Sequence, residues 1–321
     1  MASEFDLIGR YFTRAAPADV LGVGDDCAMF PVPAGRHVAT SVDLLLEGRH
    51  FFSDVDPRAL GHKSLAVNLS DLAAMGASPL GCVLGIGLPQ ADEAWVDAFS
   101  QGFLALCDTH ACPLIGGDTT RSNQGVVISV TVFGSVDPNL ALRRDGARPD
   151  DDIWVSGTLG AADVAYRLLA GALAPDPVRL AATRAALEWP TPRLALGRAL
   201  AGMAHAALDV SDGLLQDLGH ILKASGVGAV LDYAALPVDP ALTGLSPEDV
   251  AHAVLAGGDV YELCFTAGRQ RRAAVQQAAR EAGVPVSRIG AVQREPGLVV
   301  LDDSGTPMPL RTRGFDHFGL D

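Results

Sequence analysis

Lysine is nearly missing from this 321-residue chain: Lys63 and Lys223 are the only two, and arginine supplies the rest of the 24 basic side chains. Against 38 Asp and Glu they leave a formal charge of −14. No basic stripe interrupts the acidity, which argues against nucleic acid as a partner. Cysteine is scarce too. Cys27, Cys82, Cys107, Cys112 and Cys264 form an odd, scattered set without a Cys-x-x-Cys pair. A zinc ribbon is therefore not expected, and reduced, mostly buried thiols in a cytoplasmic protein are. Long apolar runs are lacking. Val126 to Val136 is the most apolar stretch, and Ser129, Thr131, Gly134 and Ser135 break it well short of a bilayer's width. The first ten residues carry Glu4 and Asp6 rather than a basic start followed by an apolar run, so neither a leader nor a membrane partner is expected. Two phosphate loops are also missing: no Gly-x-x-x-x-Gly-Lys-Ser/Thr segment occurs, and Gly22-Val-Gly24 is too short for Gly-x-Gly-x-x-Gly.

Apolar residues are abundant at 49%, and the length suits two domains of ordinary size. Composition turns polar after Pro138, through Arg143, Arg144, Asp145, Arg148, Asp150, Asp151 and Asp152, which places a boundary between residues 1–140 and 141–321. In the first part, Arg36 to Val42 reads as a strand ending at Asp43, and Pro57 to Met75 as a helix closed by Gly76. Gly81 to Leu88 reads as a strand, and Glu93 to Thr109 as a helix with a core-facing stripe of Trp95, Phe99, Phe103 and Leu106. Cys112 to Ile115 reads as a short strand running out into Gly116-Gly117-Asp118, and Gly125 to Gly134 as another strand. In the second part, strands are expected at 153–156, 206–210, 228–231, 263–266, 288–292 and 297–301. Helices follow Gly160, Pro192 and Gly213. Strands alternating with helices in both parts imply α/β or α+β layers.

Carboxylates recur at the ends of apolar runs: Asp25 and Asp26, Asp43, Asp118, then Asp209 with Asp212, while Asp71 stands on a helix beside Asn68 and Ser70. Any one of them alone reads as a cap or turn residue. As a converging set they would need cations, because two carboxylates about 4 Å apart repel by roughly 4 kcal/mol at an effective dielectric of about 20. Oxygen ligands without His or Cys favour Mg²⁺ or Ca²⁺.

Several motifs occur in order: Gly22-Val-Gly-Asp-Asp-Cys-Ala28, Ser41-Val-Asp43, Leu65-Ala-Val-Asn-Leu-Ser-Asp-Leu-Ala-Ala-Met-Gly76, Gly116-Gly-Asp-Thr-Thr-Arg121 and Leu208-Asp-Val-Ser-Asp-Gly-Leu214. With Gly257-Gly258, Tyr261-Glu-Leu263 and Gly314-Phe-Asp-His-Phe318, the chain closely resembles the thiamine-monophosphate kinases over nearly its whole length. These belong to the ATP-binding superfold of aminoimidazole ribonucleotide synthetase. The resemblance implies a two-domain fold, with an N-terminal mixed sheet bearing helices and a C-terminal α/β sandwich, assembled as a homodimer. It implies ATP-dependent phosphorylation of thiamine monophosphate with several Mg²⁺ ions. The implied metal ligands are Asp26, Ser41, Val42 (through its carbonyl), Asp43, Asp71, Asp118, Asp209 and Asp212. ATP contacts fall on Gly117, Asp118, Arg144 and Ser211, and thiamine phosphate contacts on His50, Asp259 and Phe315. In one place the chain departs from the family, which usually reads Gly-Gly-Glu-Asp-Tyr-Glu where this chain has Gly257-Gly-Asp-Val-Tyr-Glu262.

An anionic phosphate oxygen as acceptor needs no general base, so no catalytic side-chain base or nucleophile is expected. The work left to the protein is neutralising and aligning two polyanions. Two other readings stand beside this one: another ATP-dependent enzyme of the superfold, or a non-catalytic acidic cation-binding protein.

Overall fold

The computed structural model describes residues 4–24 and 27–309. It divides into two compact units. One holds the described residues through Leu72 together with Ala77–Asn139, and the other holds Ala73–Gly76 and the described residues from Leu140 onward.

The first unit opens with helix α1 (Glu4–Leu7), which continues as a π-type turn over Ile8–Phe12. Then come β1 (His37–Leu46), α2 (Pro57–Ala74), β2 (Ser78–Leu88), α3 (Glu93–His110), β3 (Leu114–Arg121) and β4 (Val127–Val136). The strands form one mixed sheet in the order β1-β4-β2-β3, in which only β2 and β3 run parallel. Period-two alternation in β4 turns Ile128, Val130 and Val132, all fully buried, toward the core. Helix α2 is buried almost all round rather than along one stripe. It approaches α3 backbone to backbone. A Cβ on Gly61 would stand 2.0 Å from the Phe99 carbonyl oxygen, and one on Gly102 would stand 1.9 Å from that of Arg58. The expected aromatic stripe of α3 does form core: Phe99 and Phe103 are fully buried, and Trp95 stacks on Phe99 at 5.2 Å between centroids.

Two strands run further than their sequence suggests. Strand β1 continues to Leu46, so Asp43 is inside the strand, not at its end. The strand expected to stop at Ile115 persists through Gly116-Gly117-Asp118 to Arg121, carried by its parallel pairing with β2.

The second unit contains β5 (Asp151–Ser156), α4 (Ala161–Leu169), α5 (Pro177–Glu188), α6 (Leu194–Leu200), β6 (Ala206–Asp209), α7 (Leu214–Ser225), β7 (Gly228–Asp232), α8 (Pro247–Leu255), β8 (Leu263–Gly268), α9 (Arg272–Ala282), β9 (Val286–Gln293) and β10 (Gly297–Leu301). The six strands lie in the order β10-β7-β9-β5-β8-β6, antiparallel except β10 against β7. Central β5 and β8 are buried along their whole length. Helix α5 is N-capped by Asp176 and α8 by Ser246. Asp151 and Asp152, which composition assigns to a polar connector, instead open β5 and are buried. Each is matched there: the Asp151 carboxylate lies 2.9 Å from His205 Nδ1, and Asp152 accepts two bonds from the Arg272 guanidinium at 2.6 and 2.7 Å. Pairing of this kind is what lets a carboxylate enter a core.

Candidate active site

In the first unit, two spacings meet. Residues two apart on a strand share a face, and residues three apart on a helix do as well. Ser41 and Asp43 therefore look out from one side of β1, and Asn68 and Asp71 from one side of α2. The Ser41 hydroxyl donates to Asp71 Oδ2 at 2.5 Å, and the Asp43 backbone N–H donates to Asn68 Oδ1 at 3.0 Å. Asn68 is fully buried, and its own amide donates to the Ser64 carbonyl at 3.1 Å. The Asn-Leu-Ser-Asp motif is thus a clamp that fixes the strand bearing Ser-Val-Asp. It also crowds two carboxylates together. Burial, and then the charge of Asp71, push the Asp43 carboxyl up to about 7. Val42 points to the opposite side of β1 and is 59% exposed.

His50 follows β1. Its Nδ1 accepts from the Leu46 N–H at 3.0 Å, which leaves the proton of the neutral ring on Nε2. Its carbonyl accepts from the buried Lys63 ammonium at 3.4 Å. Asp118 is exposed on edge strand β3, in register with Gly85. Strands β4 and β2 separate it from β1, about 14 Å of sheet at the usual strand spacing. Gly117 precedes it with φ +154°, and a Cβ there would stand 2.0 Å from the Leu84 carbonyl oxygen. Gly117 and Asp118 border a small pocket whose other walls include Ile8, Phe12, Val23 and Leu84. Among the described residues no group of three or more His, Cys, Asp or Glu side chains is assembled to hold a metal. Asp26 and Phe315 lie outside the described residues.

In the second unit, β6 ends at the buried Asp209, and the turn Val210-Ser211-Asp212-Gly213 leads into α7. Asp259 lies on a second loop laid against that turn. Its N–H donates to the Ser211 carbonyl at 2.8 Å, and the Tyr261 N–H donates to that of Val210 at 2.7 Å. Tyr261 Oη donates to Asp259 Oδ1 at 3.0 Å. The backbone around Arg144 is pinned next to β6: its carbonyl accepts from the Ser225 hydroxyl at 2.9 Å, and the Arg143 carbonyl accepts from the Ala207 N–H at 3.1 Å. The Arg144 side chain is left exposed.

Three supporting residues escape a reading of the sequence. Glu262 is buried and accepts from the Ser156 hydroxyl at 2.5 Å and from Arg193 through both carboxylate oxygens, anchoring the end of the Asp259 loop. Asp217 gathers the amides of the Ser211 turn. Burial pushes its carboxyl up to about 6, with the Asp212 N–H opposing and the Asp212 charge adding to the rise. The one signal for Asp217 is an acid in the first turn of a helix, common enough to pass as a dipole effect. Nothing in the sequence pairs Arg193 with Glu262, 69 residues away.

Two α/β units in one chain, each presenting acids and polar side chains from its strands, helices and loops, define an AIR synthase-type protein. Residues 24–136 match the model of the AIR synthase related protein N-terminal domain, and residues 148–303 that of the C-terminal domain. The thiamine-monophosphate kinase of Escherichia coli K12 is 43% identical, covering 98% of each chain. The crystal structure of thiamine-monophosphate kinase from Stenotrophomonas maltophilia K279a superposes with a TM-score of 0.82 at 46% identity, covering 88% of this chain and 91% of that one. AaThiL complexed with AMPPCP and TMP superposes with a TM-score of 0.77 at 27% identity, covering 98% and 97%. The chain belongs to the thiamine-monophosphate kinase family within the AIR synthase related proteins.

Proposed function

We propose that this protein transfers the γ-phosphoryl group of ATP to thiamine monophosphate, yielding thiamine diphosphate and ADP. The supporting observation is the Ser41/Asp43–Asn68/Asp71 clamp, which buries Asp43 beside a second carboxylate, so that burial and then the Asp71 charge raise it to about 7. Such an arrangement gains most when a divalent cation neutralises it. The donors Ser41, Asp43 and Asp71 are all oxygen, which fits Mg²⁺. Asp26, the Val42 carbonyl, Asp118, Asp209 and Asp212 are the further ligands proposed. When bound, Mg²⁺ would offset the charge of the two phosphate groups that must meet.

The chain's own residues would do the rest. A terminal oxygen of thiamine monophosphate attacks the γ-phosphorus, and the bond from that phosphorus to the bridging oxygen of ADP breaks. The attacking oxygen is already anionic, so no side chain needs to take its proton. His50 suits the substrate phosphate, because its Nδ1 is engaged by Leu46 and its Nε2 carries the proton to donate. Asp259 would face the cationic rings of thiamine, and Phe315 would stack on them. Gly117, Asp118, Arg144 and Ser211 would hold the nucleotide, with Arg144 serving as an exposed fork for phosphate. A homodimer is supported by the outward face of β1, where Val38, Val42 and Leu44 are each about half exposed. Five free cysteines, four of them buried, agree with a cytoplasmic setting, and among the described residues no helix is long and apolar enough to cross a membrane.

The test is incubation of the pure protein with ATP, Mg²⁺ and thiamine monophosphate, following thiamine diphosphate, with free thiamine as the control acceptor. Equal product from free thiamine would overturn the reading. Direct transfer also requires inversion at phosphorus, and net retention would contradict it.

A further inference from the structure

Asp217 lies in the first turn of α7 and is only 4% exposed. Its Oδ2 accepts three successive backbone amides: Ser211 at 3.0 Å, Asp212 at 3.0 Å and Gly213 at 3.1 Å. This is not ordinary helix capping. A capping side chain precedes the helix and satisfies amides inside it, whereas Asp217 is inside α7 and reaches back to amides at and before its start. Its bonds therefore serve the turn. Three N–H dipoles converging on one oxygen favour full negative charge there, which an amide side chain lacks.

The turn so held is itself the template for the loop carrying Asp259. Outward from the Asp217 carboxylate, the Ser211 amide is fixed, and the carbonyl of the same residue accepts the Asp259 N–H. One residue earlier, Val210 accepts from Tyr261 and donates to the Glu262 carbonyl at 2.8 Å. The contact admits no side chain between the loops, since a Cβ on Gly258 would stand 2.6 Å from the Ser211 carbonyl oxygen. Asp259 and Tyr261 both sit in the left-handed region, at φ 57° and 55°. Non-glycine residues hold that conformation where surrounding bonds over-determine it, and the bonds doing so come from the turn that Asp217 organises.

We propose that Asp217 is a positioning residue that sets the 209–213 turn and the 257–262 loop as one body, registering the nucleotide-side Ser211 and Asp212 with the thiamine-side Asp259. The kinetic part of this proposal rests on the function proposed above; the structural part does not.

The experiment compares Asp217→Asn and Asp217→Ala with wild type in two readouts. In steady-state kinetics, Asp217→Asn should raise KM for ATP and for thiamine monophosphate together, each about 10-fold, with a smaller fall in kcat, and Asp217→Ala should raise both further. A drop in melting temperature with both KM values unchanged, or a rise in the KM for ATP alone, overturns the proposal. In amide hydrogen exchange on the ligand-free protein, Ser211, Asp212 and Gly213 should exchange faster in Asp217→Asn, and Asp259 and Tyr261 should accelerate with them. Acceleration confined to 211–213 overturns it. The near-isosteric Asn variant keeps the test open if the Ala variant does not fold. A wild-type protein that makes no thiamine diphosphate would sink the functional reading alone, and the exchange result would still decide the role of Asp217.

Discussion

The candidate residues of the two units are held by different means. In the first unit, the candidate side chains project from regular elements, and the clamp between β1 and α2 joins residues at the fixed spacings of strand and helix. In the second unit, Ser211, Asp212 and Asp259 sit on loops, and backbone amides and carbonyls hold those loops together. Side-chain clamps fix a few atoms firmly at the expense of burying and crowding charge: burial first, and then the Asp71 charge, push Asp43 up to about 7. Backbone-held loops depend instead on a buried acid that gathers their amides, and they too bring charges together, at Asp212 and Asp217.

The sharpest way to separate the two is to neutralise one acid in the clamp. Asp43→Asn or Asp71→Asn should cut kcat/KM by about 10³-fold or more, the order of effect expected for losing a ligand that offsets phosphate charge. Neither should destabilise the metal-free protein, because each relieves repulsion. A melting temperature that falls together with activity would break the comparison. Next in size is Asn68→Ala. It strands the Asp43 amide and should cost roughly 1–3 kcal/mol in denaturant unfolding, with activity falling about 10- to 100-fold as β1 loosens.

These contrasts also explain what the sequence could disclose. Asn68 and Asp71 are three apart in an unbroken helical pattern, and Ser41 and Asp43 are two apart in a strand, so periodicity alone gives each pair a common face. What periodicity could not give was the length of β1 or β3. Asp43 and Asp118 look like strand ends because each carboxylate interrupts its segment, and inter-strand pairing carries both strands past them. The second unit is less legible. Asp217 acts through backbone atoms four, five and six residues earlier, and Glu262 finds Arg193 only through the fold. Neither partnership leaves a spacing to read. The buried acids Asp151 and Asp152 mislead for the same reason: their partners, His205 and Arg272, are distant in sequence.

Burial and crowding in the clamp carry a pH signature. The carboxyl of Asp43 ordinarily titrates at 3.8 and in the folded chain at about 7. Between those values the folded chain keeps a proton that the unfolded chain has released. The stability this contributes is whole below about pH 4 and is lost as pH rises toward 7. With EDTA present, the melting temperature of the wild type should therefore fall between pH 5 and 8 relative to Asp43→Asn, and added Mg²⁺ should reverse the loss at pH 8. Parallel profiles for the two proteins would show that burial and the Asp71 charge do not raise Asp43.

The smallest effect belongs to the loops. Tyr261 holds φ at 55°, where glycine sits without strain, so Tyr261→Gly removes a local backbone cost of about 1 kcal/mol. It also removes the hydroxyl that donates to Asp259 Oδ1 and enlarges the entropy of the unfolded chain. These contributions oppose one another, so stability should change by less than about 1 kcal/mol. The kinetic consequence should be selective, with KM for thiamine monophosphate rising about 3- to 10-fold while KM for ATP holds, because the Ser211 turn keeps its bonds to Asp217. That selectivity is the converse of the joint rise expected for Asp217. The backbone scaffold should move both substrates together, and a single side chain hung on it should move only one.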